Sequence, residues 1–406
     1  MRYDFTTLPE RHNTGSAKYD LMLRTRPDAA PDAVPFSVAD MELNDCPEII
    51  EGLREYLKTA VLGYTVPRPA YYEAVQSWMQ RRHGFLPEKD WFVTSPGIVP
   101  ALYELVNAMT VPGDAVLMLS PVYHPFRLCA QRQRREAVFC PLVERGTTYD
   151  IDFTLFEKLC SEPKVKMFLL CSPHNPVGRI WTEEEVVRLA DICRKHGVLF
   201  VSDEIHADLI LPGYTHFSAG RLPEQYRDTL ILCTAPTKTF NLAGMQVSNL
   251  FIPNKALRGK IGLDKEYGML GALSYEACRL AYEKGEAWLE ELRQVLDANK
   301  KLVETFCRQE LPEIRPFELM GTYLLWLDCR SLGLSKEQLE KRMVSHDLYF
   351  DEGYIFGEEG AGFERMNIAC PTDVLRKALA RFKEAVTEKY KVNKIQQPRL
   401  LFGRRG

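Results

Sequence analysis

The chain has 406 residues, of which 46% are hydrophobic and 26% charged, and its formal net charge at pH 7 is −3. This composition excludes disordered and fibrous proteins and is sufficient for a large core and two domains. The 52 basic residues nearly equal the 55 acidic ones in number. The chain therefore has no excess positive charge that would attract nucleic acid or an anionic membrane, and neither is an expected partner.

The cysteines and the N-terminal segment indicate in which cellular compartment the protein is expected. Eleven cysteines are scattered without a C-x-x-C pair, which favours reduced thiols in a reducing compartment and does not suit a zinc site, so no metal is expected. The N-terminal segment 1–5 lacks the apolar core of a signal peptide, and no stretch is apolar enough to suggest a membrane span. We therefore expect a cytoplasmic protein.

The first forty or so residues are polar and punctuated by prolines, and we expect them to form an arm rather than a packed element. The predicted elements begin after this arm. Helical periodicity starts near Pro47, and a second amphipathic helix is predicted over 71–83. Further on, apolar runs alternate with helical patterns, which predicts an α/β fold with a mostly parallel sheet of the seven-stranded type covered on both faces. The predicted strands are 91–93, 115–119, 165–171, 198–201, 230–233 and 247–252, and the helices between them include 98–109 and 183–196.

The last part of the chain has a different character. Longer helical segments follow Lys255, and a proline-containing break then precedes a smaller α+β unit. The elements predicted there are helix 286–308, strand 322–327, helix 336–344 and helix 373–390. The expected division is an arm at 1–45 belonging to the small domain, a large domain at 46–285, a small domain at 286–392 and a tail at 393–406.

A lysine among hydroxyl residues follows the predicted strand 230–233. A lysine amine is the usual protein group for capturing a carbonyl as a Schiff base, and Thr234, Thr237 and Thr239 offer hydroxyls to a phosphate beside Lys238. Taken alone, an ordinary lysine in a strand-to-loop turn is the simpler interpretation. The prediction therefore depends on the other strand ends.

Three further features lie at strand ends. Segment 94–99 is a glycine turn that opens a helix, a place where backbone N–H groups hold phosphate. Asn175 lies between two prolines, which hold its amide ready to donate to a ligand oxygen, although a tight turn is the alternative. Asp203 ends a buried strand, where a carboxylate needs a cation such as a protonated pyridine nitrogen. His206 is equally well explained as a hydrogen-bonded turn histidine.

Together these parts predict a site for pyridoxal 5′-phosphate, and the motifs that contain them resemble those of a known group. The runs SPHNPVG, SDEIH and APTKTFN at 172–178, 202–206 and 235–241 resemble signatures of fold-type I pyridoxal phosphate enzymes. More narrowly, they resemble the cystathionine β-lyase and cystalysin branch of the class I/II aminotransferase superfamily. The similarity extends through 38–41, 63–65, 82–84, 321–326 and 362–369.

The resemblance implies a role for individual residues. Lys238 would carry the cofactor and move the Cα proton, Asp203 would pair with the pyridinium nitrogen, and Asn175 would donate to the phenolic oxygen of the ring. Tyr123 matches the aromatic that stacks on the ring. Arg365 matches the guanidinium that binds the substrate carboxylate through its bidentate geometry. A surface salt bridge is the alternative for Arg365.

The remaining implied contacts concern the phosphate and the subunit interface. The backbone of Ile98 and Val99 together with Thr237 matches the phosphate cup, and His206 is a further candidate cofactor contact. Tyr64 matches a tyrosine that the neighbouring subunit contributes to the phosphate, which implies a homodimer with shared active sites. The candidate catalytic residues are Lys238, Tyr123 and Tyr64.

Two positions depart from related patterns. Gln246 stands where aspartate-type aminotransferases carry a phosphate-binding arginine, and the C–S lyase branch also lacks that arginine. His124 stands where the branch often has a second aromatic residue after the stacking tyrosine. These departures affect the expected substrate preference and leave the expected cofactor unchanged.

The resemblance therefore predicts a pyridoxal phosphate-dependent C–S β-lyase, of the cystathionine β-lyase or cysteine desulfhydrase kind. Its substrate would be a small amino acid such as L-cystathionine or L-cysteine, and its products pyruvate, ammonia and a thiol. An aminotransferase on the same site is the first alternative, because both reactions begin with loss of the Cα proton. A lyase with an added regulatory binding role is the second.

Overall fold

A seven-stranded sheet is the centre of the fold in the computed structural model, which describes residues 1–262 and 270–388. The predicted tail at 393–406 and the end of predicted helix 373–390 lie outside these ranges. The strands are β1 Phe92–Ser95, β2 Ala115–Ser120, β3 Glu136–Pro141, β4 Val143–Arg145, β5 Thr148–Asp150, β6 Val165–Cys171, β7 Leu199–Asp203, β8 Leu230–Thr234, β9 Ser248–Phe251, β10 Arg315–Pro316, β11 Leu324–Asp328, β12 Asp351–Glu352 and β13 Phe363–Asn367.

The order of the large sheet is β1-β9-β8-β7-β6-β2-β3, and β9 alone in it runs antiparallel to its neighbours. The carboxyl ends of β1, β2, β6, β7 and β8 therefore share one edge, which is where an open α/β sheet binds its ligands. A second, antiparallel sheet has the order β10-β11-β13-β12, and β4 pairs with β5.

The helices connect and cover these strands. Their bounds are α1 Ala17–Thr25, α2 Pro47–Leu57, α3 Pro69–Trp78, α4 Ile98–Met109, α5 His124–Gln131, α6 Phe153–Cys160, α7 Glu183–His196, α8 Pro236–Thr239, α9 Lys255–Arg258, α10 Ala272–Lys284, α11 Glu286–Glu310, α12 Lys336–Ser345 and α13 Thr372–Thr387. Both ends of helix α7 were predicted correctly, because each end carries a recognisable capping residue. Thr182 and Glu185 form a capping box at its start, and Gly197 ends it in the left-handed conformation.

Two hydrophobic cores lie on opposite faces of the large sheet. Successive residues of the parallel strands alternate between them, so that both faces of each strand are buried. One core contains Leu117, Phe168, Phe200 and Leu232 and packs against α6 and α7; the other contains Val116, Met167, Val201 and Ile231 and packs against α4 and α5. The predicted α/β fold with helices on both faces of a mostly parallel sheet is thereby confirmed.

Several predicted elements needed correction. The arm was expected to lack packed structure, but helix α1 forms there, and Tyr3, Phe5, Tyr19 and Met22 are buried. Helix α5 was not predicted. Strand β3 was also missed, because it lies at the edge of the sheet and only one of its six residues is fully buried. Strand β7 extends two residues beyond its predicted end and includes Asp203. Within the described ranges, no helix is long and apolar enough to cross a membrane.

Candidate active site

Lys238 lies in the short helix α8, immediately after β8, and its side chain is half-buried. Its Nζ atom donates a hydrogen bond to the backbone carbonyl of Ala39 at 2.5 Å. Burial lowers the pKa of the Lys238 amine to about 8; the positive charge of Arg365 acts in the same direction, and the carboxylates of Asp40 and Asp203 oppose it. An amine with this pKa is partly neutral near physiological pH and can act as a base or nucleophile.

Asp203 ends the neighbouring strand β7 and is 5% exposed. Its Oδ1 atom accepts a hydrogen bond from the N–H of Ile205 at 3.1 Å. In the described part of the chain no lysine, arginine or histidine lies within 4.0 Å of this carboxylate. Burial raises the pKa of Asp203 to about 7, although the positive charge of Lys238 opposes the rise. A cation bound beside Asp203 would restore its ionised form.

Asn175 follows β6 and connects it to β13 and to the segment after β2. Its Oδ1 atom accepts a hydrogen bond from Arg365 Nη1 at 2.7 Å, and its backbone carbonyl accepts one from the N–H of Tyr123 at 3.0 Å. Among the described residues its Nδ2 group has no acceptor. The asparagine is therefore oriented by its oxygen while its N–H donors remain available to a ligand.

Arg365 reaches this edge from β13 of the second sheet and is 3% exposed. Besides Asn175 it pairs with the carboxylate of Asp351, and its guanidinium carbon lies 4.6 Å from the ring centroid of Phe356. Its Nε atom is buried without a partner among the described residues. The alternative interpretation of Arg365 as a surface salt-bridge residue is wrong, because the side chain is buried against the candidate site.

The start of α4, together with hydroxyls at the end of β8 and in α8, forms the candidate phosphate-binding end of the site. Gly97 has φ +125°, a conformation that an L side chain rarely adopts, and it directly precedes the first N–H groups of α4, those of Ile98 and Val99, which have no intrahelical acceptor. Thr237 is buried in α8, and the Oγ1 atom of Thr234 is buried without a partner among the described residues. Free N–H groups and the helix dipole suit a phosphate.

The aromatic candidates differ in their surroundings. Tyr123 precedes α5, and burial raises the pKa of its phenol. His206 is 3% exposed, and burial lowers its pKa to about 3, so that its imidazole is neutral. The His206 ring packs edge-on against Tyr323 with the centroids 6.0 Å apart, and its Nδ1 atom has no partner in the described ranges.

Tyr64 is not with the other site residues of its own chain. It is 98% exposed, in a loop where Val61, Leu62 and Val66 are also exposed. The predicted contact of Tyr64 with a phosphate thus requires a second subunit and stays a prediction.

Segment 38–41 is the main site feature that sequence reasoning missed. The Ala39 carbonyl accepts hydrogen bonds from both Lys238 and the hydroxyl of Tyr323, the latter at 3.0 Å. Asn367 Nδ2 donates to the carbonyls of Val38 and Asp40. The segment was part of the resemblance, but a backbone carbonyl has no residue-type signature. Asp351, the partner of Arg365, was also missed, because β12 has only two residues.

These features fit pyridoxal 5′-phosphate. The buried carboxylate of Asp203 needs a cation, and a protonated pyridine nitrogen is one. The free N–H groups at the start of α4, with the unpartnered hydroxyl of Thr234, match a phosphate. The amide of Asn175 matches the ring oxygen, and the amine of Lys238 matches the aldehyde.

Comparisons with known proteins agree with this geometry. The profile of the aminotransferase class I and II family matches residues 31–382. The cystathionine beta-lyase PatB of Bacillus subtilis (strain 168) is 38% identical over 388 residues, which cover 95% of this chain and 100% of that protein. Protein MalY of Escherichia coli (strain K12) is 29% identical over 394 residues, covering 95% and 99% of the two chains.

Among solved structures, the crystal structure of cystalysin from Treponema denticola, which contains a pyridoxal 5′-phosphate cofactor, is similar with a TM-score of 0.93. The two chains are 43% identical, and the match covers 95% of this chain and 99% of cystalysin. Since the family profile matches most of its length and the fold agrees throughout, the chain belongs to the aminotransferase class I and II family.

Proposed function

We propose that this protein is a pyridoxal 5′-phosphate-dependent carbon–sulfur β-lyase that acts on L-cystathionine or cysteine-type amino acids. One observation carries the proposal: the buried carboxylate of Asp203, which lacks a cation partner among the described residues, lies on the strand next to the one that delivers Lys238. The relatives named cystathionine β-lyase and the similarity to cystalysin support this chemistry over others on the same fold.

The bound cofactor supplies an electron sink that stabilises the negative charge left when the substrate loses its Cα proton. Asp203 would keep a positive charge on the ring nitrogen, because a buried carboxylate is stabilised by an adjacent cation. Asn175 would hold the phenolic oxygen through its Nδ2 group. Ile98, Val99 and Thr237 would hold the phosphate, and Tyr123 would contact the ring.

Arg365 binds the α-carboxylate of the substrate. The pairing with Asp351 and the hydrogen bond to Asn175 fix its guanidinium plane before the substrate arrives. The unpartnered Nε atom is then available to the substrate. Orientation by the carboxylate directs the Cα–H bond toward Lys238.

Lys238 moves the Cα proton. Burial lowers the pKa of its amine to about 8, so a substantial neutral fraction exists near neutral pH and the amine can act as a general base. Loss of the Cα proton allows the Cβ–S bond to break with its electron pair on sulfur, and the thiolate then takes up a proton. The balanced reaction converts the thioether amino acid and water into a thiol, pyruvate and ammonia. Tyr123 and Tyr64 are the further candidates for proton transfer.

A homodimer with shared active sites is part of this proposal. The exposed apolar residues around Tyr64 favour contact with a second copy, since such side chains gain free energy when covered. We further infer a cytoplasmic location. The arm at 1–45 together with 286–392 would form the small domain, and 46–285 the large one.

Incubation with L-cystathionine in the absence of any α-keto acid tests the proposal. A lyase forms pyruvate, ammonia and homocysteine in equal amounts. Amine transfer that requires an α-keto acid, without pyruvate or thiol from any thioether amino acid or cysteine, would support the aminotransferase alternative and overturn the lyase.

A further inference from the structure

A group of buried and partly buried charges lies in the arm that was expected to lack packed structure, and one of its members directly follows Ala39 in the chain. It consists of Arg11, Lys18, Asp40 and Glu42 and is here named the arm cluster. The Lys18 side chain is 0% exposed, and its Nζ atom lies 2.9 Å from Glu42 Oε1 and 3.3 Å from Asp40 Oδ1. It also donates a hydrogen bond to the backbone carbonyl of Asp40 at 3.2 Å.

Arg11 completes the arm cluster. Its guanidinium lies 2.9 Å from Asp40 Oδ2 and 2.7 Å from Glu42 Oε1. The hydroxyl of Tyr19 donates to Glu42 Oε2 at 3.1 Å. Two cations thus balance two carboxylates, and Glu42 has the Tyr19 hydroxyl as a further donor. Removing one member would leave a buried charge without its partner, which is costly.

The arm cluster is joined directly to the candidate site. Asp40 follows Ala39, whose carbonyl is the hydrogen-bond acceptor for Lys238. The preceding residue, Val38, has φ +56°, a left-handed conformation that is unfavourable for a β-branched side chain. Such a conformation persists only where the surroundings hold it. The contacts of Lys18 with both the side chain and the carbonyl of Asp40 supply part of that hold.

We propose that the arm cluster holds the Ala39 carbonyl at Lys238 and sets the charge near this amine, which makes Lys18 and Arg11 positioning residues for the active-site amine. The catalytic importance of this arrangement rests on the proposed function of Lys238. The contacts themselves involve only residues of this chain. In this proposal the arm helps to orient the active-site lysine.

The charges near Lys238 allow the proposal to be tested by the direction in which its pKa shifts when one charge is removed. Asp40 and Asp203 raise the pKa of Lys238, whereas burial, Arg365 and Lys18 lower it. Of the other titratable groups nearby, His206 is neutral, and the phenol of Tyr323 has a strongly raised pKa and stays protonated. Removing the charge of Lys18 should therefore raise the pKa of Lys238, and removing that of Asp40 should lower it.

The experiment measures this pKa in the full-length chain freed of its cofactor. Trace acetylation at a series of pH values, with mass spectrometry of the Lys238 peptide, gives the titration of the amine. We expect Lys18→Met to raise the pKa by at least about half a pH unit, Asp40→Asn to lower it by a similar amount, and the double variant to restore it. Lys300→Met, which removes another buried lysine of the described chain, is the control and should leave it unchanged.

The opposite signs separate the effect of the two charges on an intact arm cluster from a general loosening of the arm. A loosened arm would expose Lys238 to water and raise its pKa in both single variants. A rise in both variants, or no change in either, overturns the proposal. Asp40→Asn keeps the size of the side chain and remains informative if Lys18→Met does not fold. Because the cofactor is absent, this result is independent of whether Lys238 binds pyridoxal phosphate or whether the protein is a lyase.

Discussion

Individual side chains in the candidate site are costly to bury unless a ligand completes them. Within the described ranges, the carboxylate of Asp203 lacks a cation partner. In the same ranges, Arg365 Nε and Thr234 Oγ1 are buried without a hydrogen-bond partner. A native structure rarely leaves such groups unsatisfied. The residue types of Lys238, Asp203, Asn175 and Arg365 could be identified from sequence because each supplies a distinct functional group. Their hydrogen-bond partners could not, since Ala39 contributes only a carbonyl.

The bidentate role of Arg365 leads to a prediction about substrate affinity. Arg365→Lys keeps the positive charge but loses the planar pair of donors. We expect KM for L-cystathionine to rise about 10-fold to 100-fold, the equivalent of a lost hydrogen bond to a charged group. Steady-state kinetics measure it, with the exposed Arg376→Lys as the control. An unchanged KM would remove Arg365 from the substrate site.

The lowered pKa of Lys238 predicts how stability depends on pH in the cofactor-free chain. The amine has a pKa of about 8 when folded and an ordinary value of 10.5, so between these values the unfolded chain binds a proton that the folded chain has released. Stability relative to Lys238→Met should therefore rise with pH across this window, by about 1–3 kcal/mol. Urea unfolding of both proteins at about pH 7.5 and about pH 10 measures the difference. A fall with rising pH would contradict the lowered pKa.

At the scale of elements, parallel strands gather the site. The apolar runs of β2, β6 and β8 made these strands predictable, and their parallel order placed the residues that follow them at one edge. The antiparallel direction of β9 and the edge strand β3 were not predictable, because strand direction and partial exposure depend on tertiary pairing rather than on residue pattern.

The start of α4 gives a prediction at this scale. Gly97→Ala forces a side chain into φ +125°, at a strain of about 1–3 kcal/mol, and shifts the N–H groups that face the phosphate. We expect the dissociation constant of pyridoxal phosphate to rise about 5-fold to 150-fold. Fluorescence titration measures it. Gly113→Ala also strains a positive φ, at a turn outside the site, and should lose stability while its cofactor affinity is unchanged. Equal affinities in the two variants would show that the α4 N-terminus does not hold the phosphate.

Across the whole molecule, the site combines parts that are distant in sequence. Lys238 is hydrogen-bonded to the carbonyl of Ala39, 199 positions away in the sequence, and Asn175 to the guanidinium of Arg365, 190 positions away. The sequence predicted neither pair, since no local pattern records which loop meets which. The packed arm was missed for the same reason, because its buried charges pair with one another after folding.

A shared active site predicts complementation between two inactive variants. In the proposed homodimer, Tyr64→Ala impairs the partner's site and Lys238→Ala impairs its own, so a heterodimer carries both defects in one site and none in the other. After the two proteins are unfolded and refolded together, we expect activity to recover to about a quarter of the wild-type value. Recovery no greater than the sum of the two variants alone would argue that each site is built from one chain.

The central claim is that Lys238 is the amine to which pyridoxal phosphate binds. Borohydride reduction of the cofactor-loaded protein, followed by digestion and mass spectrometry, locates the attachment directly. The account predicts a phosphopyridoxyl group on the Nζ atom of Lys238 and none in Lys238→Ala. A phosphopyridoxyl group on another lysine such as Lys18, or no attachment in the wild-type protein, would contradict it.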